Sequence, residues 1–429
     1  MSYALDFVAF FFSFIFSFWW AIVIPILVVV VWDKHLVTKR IAHRVGLKWV
    51  FLELQIPAEV PRTPKAMEEV LNSMHGTFRK GNWWRRYILG FIPPYYVFEL
   101  VLHDELLKFY IRCEKAFVDL VKSRIYTQYP DSKVVEVENP LKDLPEKAPD
   151  PTFDVFGTEF KLAKESSYPL RTYEVWEKLP EEQQIDPLTT LTETAAQLKA
   201  DEWIVIQMQM MPIPGDSKEY GITWISDAKK TIAKLAGKSE EIEEGPFQAI
   251  GEFIKNLVLA PFKEPEWKHT EKDKNAPPSM MLHLTPGEKA NIEAIERKIS
   301  KHAFWSGIRY MYVARRDTFK ENMPKVNASI FGMYRLFNSP DLNSLMPASE
   351  SITTVDFPGH FVDERIFYRK RYLYACMMMR LRPDSQFFIN VEEVASMYHV
   401  PMTLVPSSGI ERKATVEKAP PLDTPLIFE

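Results

Sequence analysis

The chain has 429 residues, a formal net charge of −4, 46% hydrophobic and 26% charged residues, and two cysteines. That length accommodates a membrane segment and about two domains. The net charge argues against a nucleic-acid binder that works by overall charge, and the distant Cys113 and Cys376 supply neither a disulfide framework nor a zinc site.

Residues 7–32, FVAFFFSFIFSFWWAIVIPILVVVVW, contain no charged side chain. About 20 apolar residues cross the hydrocarbon core as a helix, which satisfies its own backbone hydrogen bonds. The run therefore predicts one transmembrane helix from Phe7 to Trp32, with Trp19 and Trp20 in mid-span, Pro25 as a bend and Trp32 at the interface. A cleaved signal peptide fits less well, because no Lys or Arg precedes the run and no small-residue cleavage site follows it. Lys34, Lys39, Arg40, Arg44 and Lys48 follow, against Asp33 alone. The positive-inside rule then places residues 1–6 outside and the bulk of the chain in the cytoplasm, a single-pass protein of the cytoplasmic (inner) membrane. Residues 33–47 read either as an interfacial helix on anionic lipid or as a continuation of the span, with Gly46 stopping both.

From Lys48 the pattern changes to period two. Val50, Leu52, Leu54 and Ile56 alternate with Glu53 and Gln55, the pattern of a half-buried strand. Thr63 and Pro64 open a helix carrying Met67, Val70, Leu71 and Met74, closed by Gly76. The following stretch, with Trp83, Trp84, Arg85 and Arg86, is irregular; it can rest on the membrane, stack on nucleic acid or pack on its own domain. Phe98, Leu100 and Leu102, a turn at residues 103–105, and Leu107, Phe109 and Ile111 form a hairpin pattern. A helix over 114–129 and a strand around Val135 and Val137 complete β-α-β-β-α-β, a ferredoxin-like α+β domain over residues 48–138.

Residues 139–151, NPLKDLPEKAPDP, have the composition of a linker, and a second, decorated α+β domain is expected over 152–335. Its elements are a strand at Trp203–Met211, as a counterpart of Val50–Ile56, a helix ending near Gly237, and another through Phe247, Ile250, Ile254 and Leu257. A charged, Pro-containing insertion over 262–279 follows, then a capping box at Thr285–Glu288, a strand at 308–314, and a loop and helix over 315–330. A helical part spans 336–401, in which Arg365, Arg369, Lys370, Arg371 and Arg380 form a solvated face or else an anion- or nucleic-acid-binding patch, and Asn390 with Glu393 forms a second capping box. Residues 402–429 are a Pro-rich tail.

No phosphate loop, HExxH, GxSxG or GxGxxG occurs, and the nine histidines do not cluster, so the sequence points to no catalytic, cofactor-binding or metal-binding residues. The segments FLELQIP, TPKAMEEVLNSMHG, VFELVLHDELLKFYIRCEKAFVDLVKSRIYTQYP, LTPGEKANIEAIERKISKHAFWSGIRYMYVARRD and FFINVEEVASMYHVP resemble an uncharacterised family of membrane-anchored proteins of candidate-phyla (Patescibacteria-type) bacteria. Similar segments lie ahead of the motor domain in some conjugative, type IV secretion-like ATPases, and the sequence ends where such a motor would begin. The resemblance implies a non-enzymatic, membrane-anchored adaptor that positions a separately encoded motor ATPase for DNA or protein translocation, with room for a homo-oligomer. Membrane-surface contact falls on Lys34, Lys39, Arg40, Arg44, Trp83, Trp84, Arg85 and Arg86, and partner docking on Asn390, Glu393, Pro401 and Pro406. The alternatives are a membrane-surface enzyme with an interdomain site, or a membrane-proximal nucleic-acid module.

Overall fold

The computed structural model describes residues 2–57, 63–178, 186–217, 220–236, 284–354, 360–401 and 412–413; ahead of residue 23 the only side chains described are Ser17 and Trp20. The expected helix through Phe247, the insertion over 262–279, Pro406 and most of the Pro-rich tail lie outside these residues, as do the side chains of Phe7 and Trp19.

Helix α1 runs without a break from Ser2 to Gly46, through Pro25. Residues 33–46 continue the same helix, which ends at Gly46. Among the described residues no helix is long and apolar enough to cross a membrane, and most side chains of the first half of the apolar run are not among them.

Alternating apolar residues next build β1 (Trp49–Pro57), then α2 (Pro64–His75), the short α3 (Trp83–Tyr87), and the hairpin β2 (Tyr96–His103) and β3 (Leu106–Glu114). Asp104 and Glu105 both have positive φ at the hairpin tip, the twist that a two-residue turn needs to match its strands. Helix α4 (Val118–Gln128) and β4 (Lys133–Val137) follow, and the strands lie in the order β4-β1-β3-β2.

A second set repeats the order. It consists of β5 (Phe153–Leu162), α5 (Tyr173–Glu177), α6 (Thr189–Ala195), β6 (Glu202–Ile213), α7 (Trp224–Leu235), α8 (Pro286–Ser300), β7 (Ala303–Arg315), α9 (Arg316–Arg335) and β8 (Leu345–Pro347). Its strands run β6-β7-β5-β8, so its second strand faces the second strand of the first set. Strands β2 and β6 pair antiparallel from Tyr96↔Met210 to His103↔Trp203, and the two sets become one sheet. The segment WIVIQMQMM is therefore the counterpart of β2 and not of β1, a correction to the expected correspondence. Apart from Gln207 and Gln209 it is apolar on both faces, because both sides of this central strand are covered. Strand β5 escapes the periodicity because Gly157, Thr158 and Glu159 interrupt it; Gly157 is needed there, since a Cβ would fall 2.5 Å from Leu373 Cδ2 of the covering helix.

Three elements close the fold: α10 (Val362–Met378), β9 (Phe387–Asn390), which pairs with the start of β7, and α11 (Val391–Met397). In the tail, β10 (Arg412–Lys413) runs parallel to Ile56–Pro57 at the edge of β1.

One face of the sheet carries Leu52, Phe98, Ile111, Ile206, Tyr310 and Phe304 into the main core with Met67, Val121, Ile330 and Val394. The other face has two smaller apolar clusters, one around Val101, Val205, Met311 and Tyr374, the other around Val97, Met211, Ile213 and Trp224. Residues 139–151, expected to be a linker, instead place Leu141, Leu144 and Ala148 in the first of these clusters. Apolar residues spaced through a Pro-rich segment can seal a sheet face without forming an element of their own.

Between the two clusters runs a polar row set by the register. Glu99 pairs with Gln207, Gln207 with Arg309, and Arg309 with Glu159 on four adjacent strands. Arg309 donates to Glu159 at 2.7 Å, and Arg380 reaches down from the end of α10 to Glu99 at 2.6 and 3.0 Å. Gln207 also donates to Glu99 at 2.9 Å. Arg380, expected on a solvated or anion-binding helical face, is 4% exposed and belongs to this row.

Candidate functional site: an arginine cleft at the foot of the first helix

Arg40 and Arg44 are four residues apart and so share one face of α1. The chain after α2 returns to this face. Gly90, with φ of 69°, lies so close to α1 that a Cβ would fall 2.5 Å from the Lys39 carbonyl carbon. The next residue, Phe91, packs its ring 5.6 Å from that of His43, and burial lowers the His43 pKa. The Trp49 indole donates to the Arg44 carbonyl at 3.1 Å, tying the end of α1 to the first strand.

This docking brings Arg86 of α3 beside Arg40 and Arg44. From the far end of the chain, Arg382 joins them, stacked 3.7 Å over Trp305 of β7. The four arginines line a cleft of about 360 Å³ with Phe91, Ile92, Pro93, Met211 and Trp305 as its apolar wall. Gly307 lets the Arg382 segment approach, since a Cβ there would meet Pro383 at 2.7 Å. Arg86 stacks 3.9 Å over the Tyr220 ring, whose hydroxyl accepts from the Gly81 amide at 2.9 Å and so keeps its own proton to donate.

No acidic side chain lines the cleft among the described residues. Nor, among the described residues, does any of these four arginines pair with a carboxylate, whereas Arg309 and Arg380 beneath the same sheet face are both paired. Burial in the cleft, then the charge of Arg40, push the pKa of Arg382 down to about 10, although its side chain keeps access to solvent. Arg112, stacked 4.2 Å over Trp49 alongside the cleft, is lowered to about 10 by burial and by the nearby Arg380 and Arg44 charges. Its Nε and Nη1 are buried without a hydrogen-bond partner, as is the side-chain oxygen of Gln209, which lines the cleft. Unneutralised guanidinium groups beside an apolar wall suit an anion with an organic part.

Of the residues expected at a membrane surface, Arg40, Arg44 and Arg86 meet in this cleft. Lys34, Lys39 and Arg85 are exposed outside it, and Trp83 and Trp84 are 62% and 58% exposed on α3. Arg382 was not among the expected residues. Its only sequence signal is an arginine in the turn-like RLRPDS, which says nothing about α1.

The docking residues stand differently. Asn390 and Glu393 do form the expected capping box, but they are 2% and 1% exposed, and every residue of α11 is buried. This corrects their assignment to a docking surface, since a helix enclosed on all sides offers a partner nothing to touch. Glu393 accepts from Lys298 at 3.1 Å and from the Leu170 amide at 2.7 Å. Burial lowers the Lys298 pKa, opposed by Glu393. Lys301 bridges Glu392 at 2.8 Å and Glu68 at 2.9 Å, and Tyr173 also donates to Glu68. With its charges paired inside the protein, this network ties α2, α5, α8 and α11 together. Pro401 is half-buried, and Pro406 lies outside the described residues.

Residues 38–409 match the family described as a domain of unknown function, DUF8128. The chain belongs to the DUF8128 family. The DUF8128 region begins after the apolar run and includes Arg40, Arg44, Arg86 and Arg382, as well as both sets of sheet strands through β9. No curated protein matches the sequence.

Proposed function

We propose that this DUF8128 protein is a membrane-anchored scaffold whose sheet domain sits at the cytoplasmic face of the inner membrane. The observation that carries this reading is the packed joint at the foot of α1. The apolar run and the arginine-bearing turns belong to one helix, and the loop bearing Trp83, Trp84, Arg85 and Arg86 docks on it through Gly90 and Phe91. A helix fixed in this way transmits a defined orientation from bilayer to domain, which a flexible linker cannot. Positive charge next to the apolar run supports the cytoplasmic assignment. The strand orders β4-β1-β3-β2 and β6-β7-β5-β8 support reading the domain as two ferredoxin-like units fused through their second strands. The partner that the scaffold positions, in this reading, is a motor ATPase of a type IV secretion-like system encoded nearby; the resemblance of the segments quoted above supports it.

Two measurements test the reading. Cys113 and Cys376 are buried, so an impermeant thiol reagent on intact cells reports only on introduced cysteines. Ser2→Cys should label and Ser407→Cys should not; the reverse pattern would overturn the orientation. Co-purification of the neighbouring ATPase with the full chain should succeed, and its failure under conditions that retain the membrane would remove the scaffold role.

A further inference from the structure

We infer that the arginine cleft is a binding site for a phosphate group carried on a small organic moiety, the chemistry shared by an anionic lipid headgroup and a soluble phosphate ester. The inference goes beyond the scaffold reading; the anion site stands on the cleft alone, while the choice between lipid and soluble source rests on the membrane anchor of that reading.

Four observations converge. Guanidinium groups from three separate parts of the chain (α1, α3 and the segment after α10) line one hollow, and forked N–H donors match phosphate oxygens two at a time. Internal carboxylates neutralise the buried arginines of the neighbouring polar row, but none lines this cleft among the described residues. Like charges held together without a counter-ion repel, so the arrangement costs stability that an anion would return. Finally, the cleft offers more than charge. Its volume of about 360 Å³ falls at the lower end of small-ligand sites, one wall is apolar, and Tyr220 has a hydroxyl proton to give. The Gln209 side-chain oxygen is buried and unpartnered, a place for a hydroxyl or amine of the ligand.

Position along α1 bears on the source. Arg40 follows Trp32 by two turns of helix, roughly 12 Å. The headgroup layer is about 5–8 Å deep on each side, so an upright helix holds the Arg40 backbone roughly 4–7 Å beyond it, a gap that a tilt of the helix narrows.

The test uses the full chain in phosphatidylcholine nanodiscs, titrated calorimetrically with glycerol 3-phosphate at constant chloride. Saturable binding is expected, weakened at least tenfold in the double variant Arg44→Gln/Arg382→Gln and unchanged in Arg85→Gln, which alters an arginine outside the cleft. The Arg44→Lys/Arg382→Lys pair keeps the charge but loses the fork, so it should bind more weakly than wild type and more tightly than the glutamine pair, and it serves as the binding test if the glutamine pair folds poorly. A second arm adds phosphatidic acid to the discs. Competition with the soluble ester identifies the lipid headgroup as the source, and undiminished ester binding identifies a soluble ligand. The inference is overturned if the wild-type chain neither binds the ester nor retains phosphatidic acid better than the glutamine pair does, or if that pair binds as tightly as wild type.

Discussion

At the scale of single residues, the polar row under the second sheet face makes the sharpest predictions. Arg380 satisfies Glu99 with two bonds and also reaches Asn139 at 2.8 Å and the Met378 carbonyl at 3.0 Å. Removing one partner of such a pair leaves the other charge buried and alone, at a cost of about 3–5 kcal/mol. Arg380→Met should therefore lower the urea midpoint strongly, and the double variant Arg380→Met/Glu99→Gln should recover part of the loss. If the single variant unfolds at the wild-type midpoint, the row is not energetically coupled. The two thiols are a second case. Burial, followed by the charges of Glu114 and Glu136, pushes Cys113 up to about 12, and burial also raises Cys376. A thiol lacking both access and thiolate character reacts slowly. Neither cysteine should react with Ellman's reagent in the native protein, and both should react in denaturant.

His75 is the residue that links stability to pH. Its ring stacks 4.4 Å from that of His302 and bonds the Ile213 carbonyl at 2.8 Å. Burial, and secondarily the charge of His302, lower its pKa from the ordinary 6.5 despite that bond. In the unfolded chain the imidazole takes up a proton near 6.5, while the folded state resists until a lower pH. The unfolded state therefore binds more protons in that window, and stability falls as pH drops below about 6.5. Urea titrations between pH 7.5 and 5 should show this fall, with a shallower slope in His75→Gln; an identical slope would assign the effect elsewhere.

At the scale of elements, the two capping boxes have the same motif and different weight. Thr285 accepts from the Glu288 amide at 3.3 Å on an exposed helix end, whereas Asn390 does the same for Glu393 at 2.9 Å in the interior. Water can replace the first cap but cannot reach the second. Asn390→Ala should cost about 1–2 kcal/mol, the upper part of the range for lost caps, and Thr285→Ala distinctly less. Chemical denaturation of the two variants side by side checks the order.

At the scale of the whole molecule, the pairing of β2 with β6 decides the behaviour. Eight residue pairs along this seam, bridged by Gln207 and Glu99, join two sets of strands that could otherwise be separate domains. Each set shares the main core with the other, so neither can lose its packing alone. Thermal unfolding should be one transition, with far-ultraviolet circular dichroism and tryptophan fluorescence superimposing. Two resolved transitions would show that the seam is weaker than its geometry suggests.

What the sequence determined by itself is local. Period-two alternation identified β1, β2 and β3 and the side chains they turn toward the main core, because the pleat alone sets that direction. The helix starts at Thr63, Thr285 and Asn390 and the stop at Gly46 were legible for the same reason: a helix end is marked by residues within a turn or so of one another, although only Thr285 and Asn390 cap through their side chains. Tertiary structure decided the rest. Strand β6 occupies the place of β2 rather than β1, which no alternation can specify, since pairing partners are chosen by burial across the whole sheet. Residues 139–151 have the composition of a linker, yet Leu141 and Leu144 are buried because a sheet face needed covering. Arg380 and Arg382 are two residues apart and look alike in sequence, but one is neutralised by Glu99, 281 residues away, and the other opens into the cleft with Arg40. A charge carries no local mark of whether it will be paired; only the fold brings a carboxylate to it or leaves it for a ligand.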